Sequence, residues 1–522
     1  MKNRVEWISA LVLCLAVAGA ALAPYLLASR LDQPAVFNGF LINPMDGFSY
    51  LAKMRQGADG SWLFHLPYAP EPGPGTFVYV YYLFLGHVAS WLGLSLLTIY
   101  HAARFLAAAV MFMLAFIFYK RTLSESRVTW IAFLLTLFGS GLGWLAIPFG
   151  IQASDLLIPE SIPYLTAYTN AHFPLAAAAI LGGVLSVLGN GRLGLRLLAA
   201  FICGNLLGAV LPFSVVSLGV TLLVWLAWEL HSQGWRSGVA SLWSNQRPRL
   251  LSTLALLVGT LPWLLYDLWL TWTHPVLAAW TAQNITPSPP LLNYILGYGL
   301  ILILGIAGAA AIWPPRQPEG RLLLAWVVSN GILLYAPFSL QRRLTLGLFF
   351  PLAGLAALGL ERLVRSRAWL RIVFVVVLIL SVPSNLIVVS AGLSGVRIGE
   401  PAVVHLQDEL DAYQWLGEHA PRQALVLAAP DTGNRLPVFA DVRVLYGHPF
   451  ETPDADTQKA LVESIYAWDG SIEDGRRLLS NQGIDLIFYG QRERALGRPT
   501  WLEGLPLVFQ SGNVEIYQAV IP

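Results

Sequence analysis

The sequence predicts a polytopic α-helical membrane protein with a small α/β domain in its C-terminal part. Of its 522 residues, only 12% are charged and 56% are hydrophobic, and the mean hydropathy is +0.60. A soluble domain carries roughly 25% charged residues. Many apolar runs here approach the ~20 residues that cross a bilayer. After about residue 394 the apolar runs become too short to span, and charged residues become frequent.

The apolar runs predict about eleven membrane-spanning helices. Their approximate limits are 7–28, 98–119, 128–147, 172–189, 195–212, 214–230, 250–270, 292–312, 322–338, 344–361 and 369–391. Lys and Arg accumulate in cytoplasmic loops. An odd number of spans with a cytoplasmic N-terminus places most basic residues on that side. The loops after spans one, three and seven, and the tip at 338–343, are then extracytoplasmic.

Residues 77–92 pose the main ambiguity in this count, because they are also apolar. A span here would put the N-terminus and the later basic loops on opposite sides of the membrane. We therefore predict a helix that lies in the membrane interface, where its Tyr and Trp side chains suit the headgroup level. A full span is the alternative.

Two domains follow from this pattern. Residues 1–394 form the transmembrane domain, whose first extracytoplasmic loop is 30–97, and residues 395–522 form an extracytoplasmic α/β domain. The predicted strands of the second domain are 424–429, 442–446, 486–489, 506–510 and 514–519, and its predicted helices are 406–419, 454–467 and 472–482.

Composition also excludes several classes of function. The net charge of +2 gives no reason to expect a nucleic-acid partner. The two cysteines, Cys14 and Cys203, lie in apolar segments, so we expect neither a disulfide framework nor a cysteine metal site.

The stretch from Asn43 to Tyr68 is a polar island between two apolar segments. It holds Asp46, Tyr50, Lys53, Arg55, Asp59 and His65. Ionisable groups beside a bilayer are rare and are usually functional. If 47–56 is helical, Tyr50 and Lys53 lie on or near the same face as Asp46.

The order of motifs around this island resembles the GT-C glycosyltransferases, which include protein O-mannosyltransferases and the lipid A aminoarabinose transferase. The matching features are Asp46, Tyr50, Lys53, Arg55, Gly60-Ser61-Trp62, the Pro-rich turn 70–75, the helix 77–92 and Arg104. The resemblance covers residues 40–121, and the later chain resembles the family in layout. Gly47 stands where some relatives have a second acid, and Pro72-Gly73-Pro74-Gly75 replaces a Pro-Pro-Leu segment.

The resemblance implies an enzyme, a hexosyl- or pentosyltransferase that moves a sugar from a polyprenyl-phosphate donor to a lipid, glycan or protein acceptor. Such a reaction needs a base for the acceptor's proton and cations for the leaving phosphate. Displacement in one step inverts the anomeric centre, by analogy with single-displacement glycosidases. Asp46 is the predicted general base. The alternative is that Asp46 caps a helix at 47–56.

The remaining candidate residues are predicted to bind the substrates. Tyr50 orients the base or a sugar hydroxyl, or anchors the helix at the interface. Lys53 and Arg55 hold phosphate or meet anionic headgroups. Arg104 lies near the outer end of an apolar run and faces a lipid phosphate, or it reaches the headgroups. The tip Gln341-Arg342-Arg343 binds phosphate, or pairs with an acid of the C-terminal domain.

Further candidates lie in the other extracytoplasmic loops. Asp155 and Glu160 position the acceptor or, with Asp46 and His172, bind a divalent cation; His172 is alternatively a packed interfacial residue. Trp280, Gln283 and Asn284 combine aromatic and amide groups suited to a sugar. The segment 446–452 is either a lid over the site or an ordinary loop.

Two other classes of function remain open. A lipid or solute transporter or flippase would show internal repeats and charges near the membrane midplane, whereas a non-catalytic scaffold would share the topology without a shared site. The compact loops favour a bacterial cytoplasmic membrane, with membrane lipids as the surrounding partners.

Overall fold

A computed structural model describes residues 2–31, 35–232 and 239–519. The helices, in chain order, are α1 (Lys2–Ala28), α2 (Pro44–Ala58), α3 (Val80–Leu92), α4 (Leu96–Thr122), α5 (Ser126–Phe138), α6 (Gly143–Ala146), α7 (Ser154–Leu157), α8 (Pro163–Tyr168), α9 (His172–Leu188), α10 (Leu193–Val210), α11 (Ser214–Ser232), α12 (Val239–Thr273), α13 (Pro275–Gln283), α14 (Leu291–Ile312), α15 (Pro318–Leu333), α16 (Phe349–Leu363), α17 (Arg367–Ser381), α18 (Pro383–Arg397), α19 (Gln407–His419), α20 (Pro430–Phe439), α21 (Ala455–Tyr466), α22 (Ile472–Asn481) and α23 (Gln491–Leu496).

The strands are β1 (Val36–Phe37), β2 (Val404–His405), β3 (Ala424–Leu427), β4 (Val442–Val444), β5 (Leu486–Tyr489), β6 (Leu507–Ser511) and β7 (Val514–Gln518). The chain forms two compact units. The first comprises Met1–Pro24, His101–Tyr266 and Thr286–Ala391, and the second comprises Tyr25–Tyr100, Asp267–Ile285 and Gly392–Pro522. The second unit thus includes two segments before residue 394, and the division into domains 1–394 and 395–522 stays a prediction.

The polytopic helical fold is confirmed, since a helix or a bent helix pair lies at each predicted span. In the described residues, seven helices are long and apolar enough to cross a membrane, or eight if the bent pair at 126–149 is one span. The predicted total of about eleven also includes α9, α15 and α16. These have 17, 16 and 15 residues and are therefore shorter than a typical crossing helix.

Helix α3 resolves the ambiguity at 77–92. It has 13 residues, which gives a length of about 20 Å against a bilayer core of about 30 Å. Phe84 and Trp91, seven residues apart on one face of the helix, are 45% and 69% exposed. The helix is thus shorter than a full span, and its place in the membrane interface stays a prediction.

The first unit contains a close crossing of α14 and α16, which depends on two glycines. An ideal Cβ at Gly308 would lie 1.8 Å from the carbonyl oxygen of Leu355, and one at Gly359 would lie 2.1 Å from that of Leu304. Small residues let the backbones of membrane helices approach in this way. Any larger side chain at either position would push the two helices apart.

The second unit contains the α/β domain that the sequence predicts. Its five-stranded sheet has the order β4-β3-β5-β7-β6. Strands β3, β4 and β5 are parallel, while β7 pairs antiparallel with β5 and β6. The predicted strands and helices agree with the observed elements to within a few residues. Helices α20 and α23, and the short pair β1–β2, had no prediction.

The strand order places a topological switch between β3 and β5, because the chain leaves β3 to one side and returns on the other. The carboxyl ends of such strands are the usual ligand crevice of open α/β sheets. Here Glu493 lies in that position with only 1% exposure. Its carboxylate accepts the backbone N–H groups of Ala429 and Gly490, both at 2.9 Å. Burial raises the pKa of Glu493, although these hydrogen bonds oppose the shift.

Helix α2 joins the first loop to the rest of the second unit. It crosses α3 at a glycine contact, where an ideal Cβ at Gly57 would lie 2.0 Å from the carbonyl oxygen of Leu83. An ideal Cβ at Gly86 would lie 1.9 Å from that of Met54. On another side, α2 packs against α20. Helix α2 is therefore held between α3 and the α/β domain, and this packing fixes the orientation of its polar residues.

Candidate active site

Asp46 lies in the first turn of α2, which begins at Pro44. Asn43 precedes the helix in the left-handed conformation, with φ 47°, and makes no side-chain capping hydrogen bond. The alternative in which Asp46 caps a helix at 47–56 is therefore wrong, because the helix begins earlier and Asp46 is inside it. A carboxylate in the first turn interacts favourably with the helix dipole. The Asp46 side chain is 38% exposed.

The loop after β4 brings His448 to Asp46. The Nε2 atom of His448 lies 3.1 Å from Oδ1 of Asp46, although the two residues are 402 positions apart. The imidazole is 4% exposed, and its ring stacks on that of Tyr68 with centroids 6.3 Å apart. The other ring nitrogen, Nδ1, accepts the backbone N–H of Phe450 at 3.2 Å.

Hydrogen bonds and close packing hold this loop in one conformation. Oγ1 of Thr452 accepts the backbone N–H groups of Gly447 and His448, each at 3.1 Å. An ideal Cβ at Gly447 would lie 2.2 Å from Cδ1 of Tyr68, so only glycine fits there. His448 of this segment therefore contacts Asp46, and whether 446–452 is a lid or an ordinary loop stays a prediction.

A buried ion pair lies next to Asp46. Nζ of Lys53 is 2.9 Å from both carboxylate oxygens of Glu451, and the side chains are 1% and 9% exposed. Oγ of Ser49 lies 2.5 Å from Nζ of Lys53 and 2.5 Å from Oε1 of Glu451. The charges are thus paired and hydrogen-bonded, which is the condition under which burial of ions is tolerated.

Aromatic rings complete the surroundings of Lys53. Its Nζ lies 4.2 Å from the ring centroid of Tyr79 and 5.4 Å from those of Tyr50 and Phe64. A cation at these distances from an aromatic face is stabilised by the ring quadrupole. Tyr50 in turn stacks on Tyr82 of α3, with centroids 4.4 Å apart. Tyr50 and Lys53 therefore lie together, as their helical spacing predicts.

The pKa shifts of the pair reflect burial and mutual attraction. Burial lowers the pKa of Lys53, and the attraction of Glu451 opposes this shift. Burial alone would raise the pKa of Glu451, but Lys53, His448 and Ser49 outweigh it and hold that pKa below its usual value. With both Glu451 oxygens 2.9 Å from its Nζ, the Lys53 side chain is engaged within the protein. This favours a positioning role for Lys53; the predicted phosphate contact stays a prediction.

Helix α13 adds polar and aromatic groups to the same unit. Nε2 of Gln283 donates to the carbonyl oxygen of Thr452, and the ring of Trp280 contacts that of Tyr79 with centroids 6.3 Å apart. Within the described residues, Nε1 of Trp280 and Oδ1 of Asn284 are buried and lack a hydrogen-bond partner. These atoms suit the predicted role in binding a sugar, which stays a prediction.

Arg55 points away from this cluster. Its Nε lies 2.8 Å from Oδ2 of Asp59, and its Nη1 donates to the carbonyl oxygen of Phe439 at 2.6 Å. A cation at the end of α20 stabilises the helix dipole. The structure thus gives Arg55 a role in holding α2 to α20 and does not bring it to Asp46.

In the first unit, Arg104 and Asp155 have partners that fix the local backbone. Arg104 is 1% exposed, and its Nη1 donates to the carbonyl oxygen of Tyr168. Oδ2 of Asp155 accepts the backbone N–H groups of Gly141 and Gly143, at 3.0 and 3.1 Å. These glycines lie at the break between α5 and α6, where the predicted span 128–147 bends by 43°. Burial raises the pKa of Asp155 against these hydrogen bonds.

The tip at 341–343 lies beside Glu160, because the 3-10 turns Gln341–Thr345 and Pro159–Ser161 contact each other. Gln341 is fixed through its Oε1, which accepts the backbone N–H of Ser288 at 3.1 Å. Nε of Arg342 is buried and has no hydrogen-bond partner among the described residues. The guanidinium of Arg343 lies 5.5 Å from the ring centroid of Phe213.

His172 is the first residue of α9 and is 6% exposed. Its ring lies against that of Phe173, with centroids 4.2 Å apart. The predicted site thus divides between the units: Asp46, Tyr50, Lys53, Trp280, Gln283 and Asn284 belong to the second, and Arg104, Asp155, Glu160, His172, Gln341, Arg342 and Arg343 to the first. The predicted meeting of the two groups stays a prediction.

A divalent cation, as the sequence allows, would need several ligating side chains close together. A catalytic metal site in a protein usually has three side-chain ligands. Among the described residues, no three His, Cys, Asp or Glu side chains are grouped so that they could hold a metal ion. Asp46 and His448 form a pair, and Glu451 is bonded to Lys53. The divalent cation that the sequence left open stays a prediction.

Solved structures of three glycosyltransferases match the chain over most of its length. For the oligosaccharyltransferase AglB of Archaeoglobus fulgidus, in complex with an inhibitory peptide and a dolichol-phosphate, the TM-score is 0.56 at 11% identity, with 93% of this chain and 69% of that one covered. For ArnT of Cupriavidus metallidurans bound to undecaprenyl phosphate, the TM-score is 0.54 at 14% identity, with 97% of each chain covered.

The third is the arabinofuranosyltransferase AftD from Mycobacteria, with a TM-score of 0.52 at 16% identity, covering 98% of this chain and 40% of that one. All three have the GT-C architecture. The chain has the GT-C fold. Another structure of the Archaeoglobus enzyme is a complex with Zn and sulfate. No protein-family model matches the chain, and no curated protein matches it by sequence.

Sequence reasoning missed the part that four residues of this GT-C chain play around Asp46. Ser49 was not a candidate, Tyr79 was predicted only as part of the helix 77–92, and His448 and Glu451 were predicted only as part of the segment 446–452. The sequence did contain one signal for His448 and Glu451. They follow the parallel strand β4, and the carboxyl ends of parallel strands commonly carry functional loops.

Proposed function

We propose that this protein is a membrane glycosyltransferase that moves a sugar from a polyprenyl-phosphate donor to an extracytoplasmic acceptor, with Asp46 as the general base. The GT-C fold supports the class, because the similar structures are transferases and two of them hold dolichol-phosphate or undecaprenyl phosphate. The acceptor is a hydroxyl or an amide on a lipid, glycan or protein.

In the proposed reaction, the Asp46 carboxylate takes the acceptor's proton as the acceptor oxygen or nitrogen attacks the anomeric carbon. The bond from that carbon to the phosphate oxygen breaks, and polyprenyl phosphate leaves. Attack and departure on opposite faces invert the anomeric centre. Arg104, Arg342 and Arg343 are the proposed partners of the phosphate, because guanidinium groups match its oxygens.

The observation that carries this proposal is the contrast in exposure around Asp46. Its side chain is 38% exposed, whereas the side chains of His448, Lys53 and Glu451 are exposed by 9% or less. Asp46 is therefore the member of the network that a substrate can reach. The buried members hold it in place.

The donor class is testable by mass spectrometry of lipids that co-purify with the protein. We expect polyprenyl phosphate or its sugar-linked form, and loss of that lipid when Arg342 and Arg343 are both replaced by glutamine. Replacement of Arg476 and Arg477, which lie on α22 in the α/β domain, serves as the control. Absence of any polyprenyl lipid from the unmodified protein would contradict the proposed donor.

We also propose a bacterial cytoplasmic membrane, with a cytoplasmic N-terminus and the α/β domain outside. Cysteine replacements at Asp469 and Ser124, both exposed, test this topology. A membrane-impermeant maleimide should label the first in intact cells and the second only after lysis. The reverse pattern would overturn the proposed orientation.

A transporter or flippase is the second candidate, and a non-catalytic scaffold is the third. Both share the many helices, but neither requires a half-exposed carboxylate held by buried charged partners. Transport that survives replacement of Asp46 would favour the second candidate.

A further inference from the structure

We propose that His448 is a positioning residue, which donates its Nε2 proton to Asp46 and fixes the carboxylate while Asp46 takes the acceptor's proton. This inference rests on the proposed function for its catalytic meaning, but its structural part can be tested without activity. It assigns a role to the α/β domain, because His448 comes from the loop after β4.

The tautomer of His448 follows from its two hydrogen bonds. Nδ1 accepts the backbone N–H of Phe450, so the lone pair is on Nδ1. A neutral imidazole has one donor and one acceptor nitrogen, so the proton is on Nε2. Nε2 lies 3.1 Å from Oδ1 of Asp46, and the hydrogen bond therefore runs from His448 to the carboxylate.

The same geometry argues against His448 as a proton relay. A proton taken up at Nδ1 would face the N–H of Phe450, and the hydrogen bond between them would be lost. The loop cannot easily turn the ring away, because Thr452 holds the backbone N–H of His448 and Tyr68 packs against the ring. His448 is thus a fixed donor, and the proton taken by Asp46 does not pass through it.

Within the described residues, titratable or charged groups face the Asp46 carboxylate from several elements. Lys53 lies on the same helix, Tyr68 lies in the segment between α2 and α3, and His448 is in the loop after β4. Glu451, in the same loop as His448, is bonded to Lys53. Of these, His448 makes the direct hydrogen bond. Its donated proton stabilises the charged form of Asp46 and fixes the direction of the carboxylate.

The direct test is solid-state nitrogen NMR of the full chain labelled on histidine and reconstituted in lipid. The chain has nine histidines, and the signal lost in His448→Gln identifies the residue. We expect a proton on Nε2, with Nδ1 as the acceptor nitrogen. A ring protonated on Nδ1 alone would overturn the proposal whether or not transfer is detected.

The second readout is kinetic, with undecaprenyl-phosphate-linked hexoses and pentoses as donors and isolated membranes as acceptor. His448→Leu should lower kcat roughly ten- to hundredfold, the range for a hydrogen bond to a charged group, with little change in the KM for the donor. The acid limb of the pH–rate profile should move to higher pH, because Asp46 loses a donor that stabilises its charge. His448→Gln, which keeps an N–H donor, should restore part of the rate.

His419→Leu is the matched control, because His419 is exposed on α19 in the same domain. A His448→Leu variant with wild-type kcat and an unmoved acid limb would overturn the positioning role and leave the proposed transferase intact. No transfer by the unmodified protein would instead contradict the proposed function, while the NMR result would still decide the tautomer.

Discussion

Replacement of Asp46 by asparagine is expected to lower sugar transfer by about 10²- to 10⁴-fold, which is the usual contribution of a general base. Asparagine has almost the same shape and can still accept a hydrogen bond from Nε2 of His448. It cannot take up a proton at neutral pH, so the loss should appear in kcat while donor binding persists. The measurement is transfer of labelled sugar from polyprenyl phosphate by the purified variant in lipid.

Asp59→Asn is the control for this experiment. Asp59 follows the same helix, its side chain is 40% exposed, and it pairs with Arg55 outside the cluster around Asp46. This variant should transfer at nearly the wild-type rate. Equal activity of Asp46→Asn and the wild-type protein would remove Asp46 from the mechanism.

Replacement of Lys53 by methionine is expected to lower the free energy of unfolding by about 3–5 kcal/mol, because it leaves a buried carboxylate without its partner. Glu451 would keep only the hydrogen bond from Ser49 and the influence of His448. Thermal unfolding of the variant in lipid measures the change. Lys459→Met is the control, since Lys459 and Glu463 form an exposed pair at 3.9 Å and such pairs contribute little.

The pH dependence of this variant should have the opposite sign to that of the wild-type protein. In the wild-type protein the pKa of Glu451 is lowered, so its stabilising contribution is present above the usual glutamate pKa and is lost as the pH falls through the lowered value. Without Lys53, burial dominates and raises that pKa. Stability of the variant should then fall as the pH rises through the glutamate range.

A double variant, Lys53→Met with Glu451→Gln, separates charge from packing. It removes both ions and should recover much of the lost stability, because no unpaired charge remains buried. If the single and double variants are equally unstable, the loss comes from the shape of the site and not from the unpaired carboxylate.

The helical segments could be predicted from the sequence because each depends on local composition. Apolar runs of sufficient length mark the spans, and short apolar or alternating runs bounded by turn residues mark β3, β4, β5 and the terminal hairpin. Helix α20 escaped prediction because its sequence, Pro430 to Phe439, includes Gly433, Asn434 and Pro437, which are poor helix formers. Its packing against α2 and α19 overrides this weak local signal.

The partners of Asp46 could not be predicted, because the contact between Asp46 and His448 joins residues 402 positions apart. A single sequence contains no local pattern that specifies such a pairing. The separation of Arg55 from Asp46 could have been predicted. The two residues are nine positions apart, and at about 100° per residue this places their side chains on opposite faces of the helix. Arg55 does contact another part of the chain, the end of α20.

The position of Glu493 has a consequence for ligand binding at the sheet of the α/β domain. Open parallel sheets commonly bind nucleotides where backbone amides at the head of a helix receive a phosphate. In the α/β domain those amides, of Ala429 and Gly490, are already bonded to the Glu493 carboxylate. A sugar carried on a soluble nucleotide would have to displace a built-in anion from this crevice. Those two backbone amides are therefore already engaged and are not open to a nucleotide phosphate.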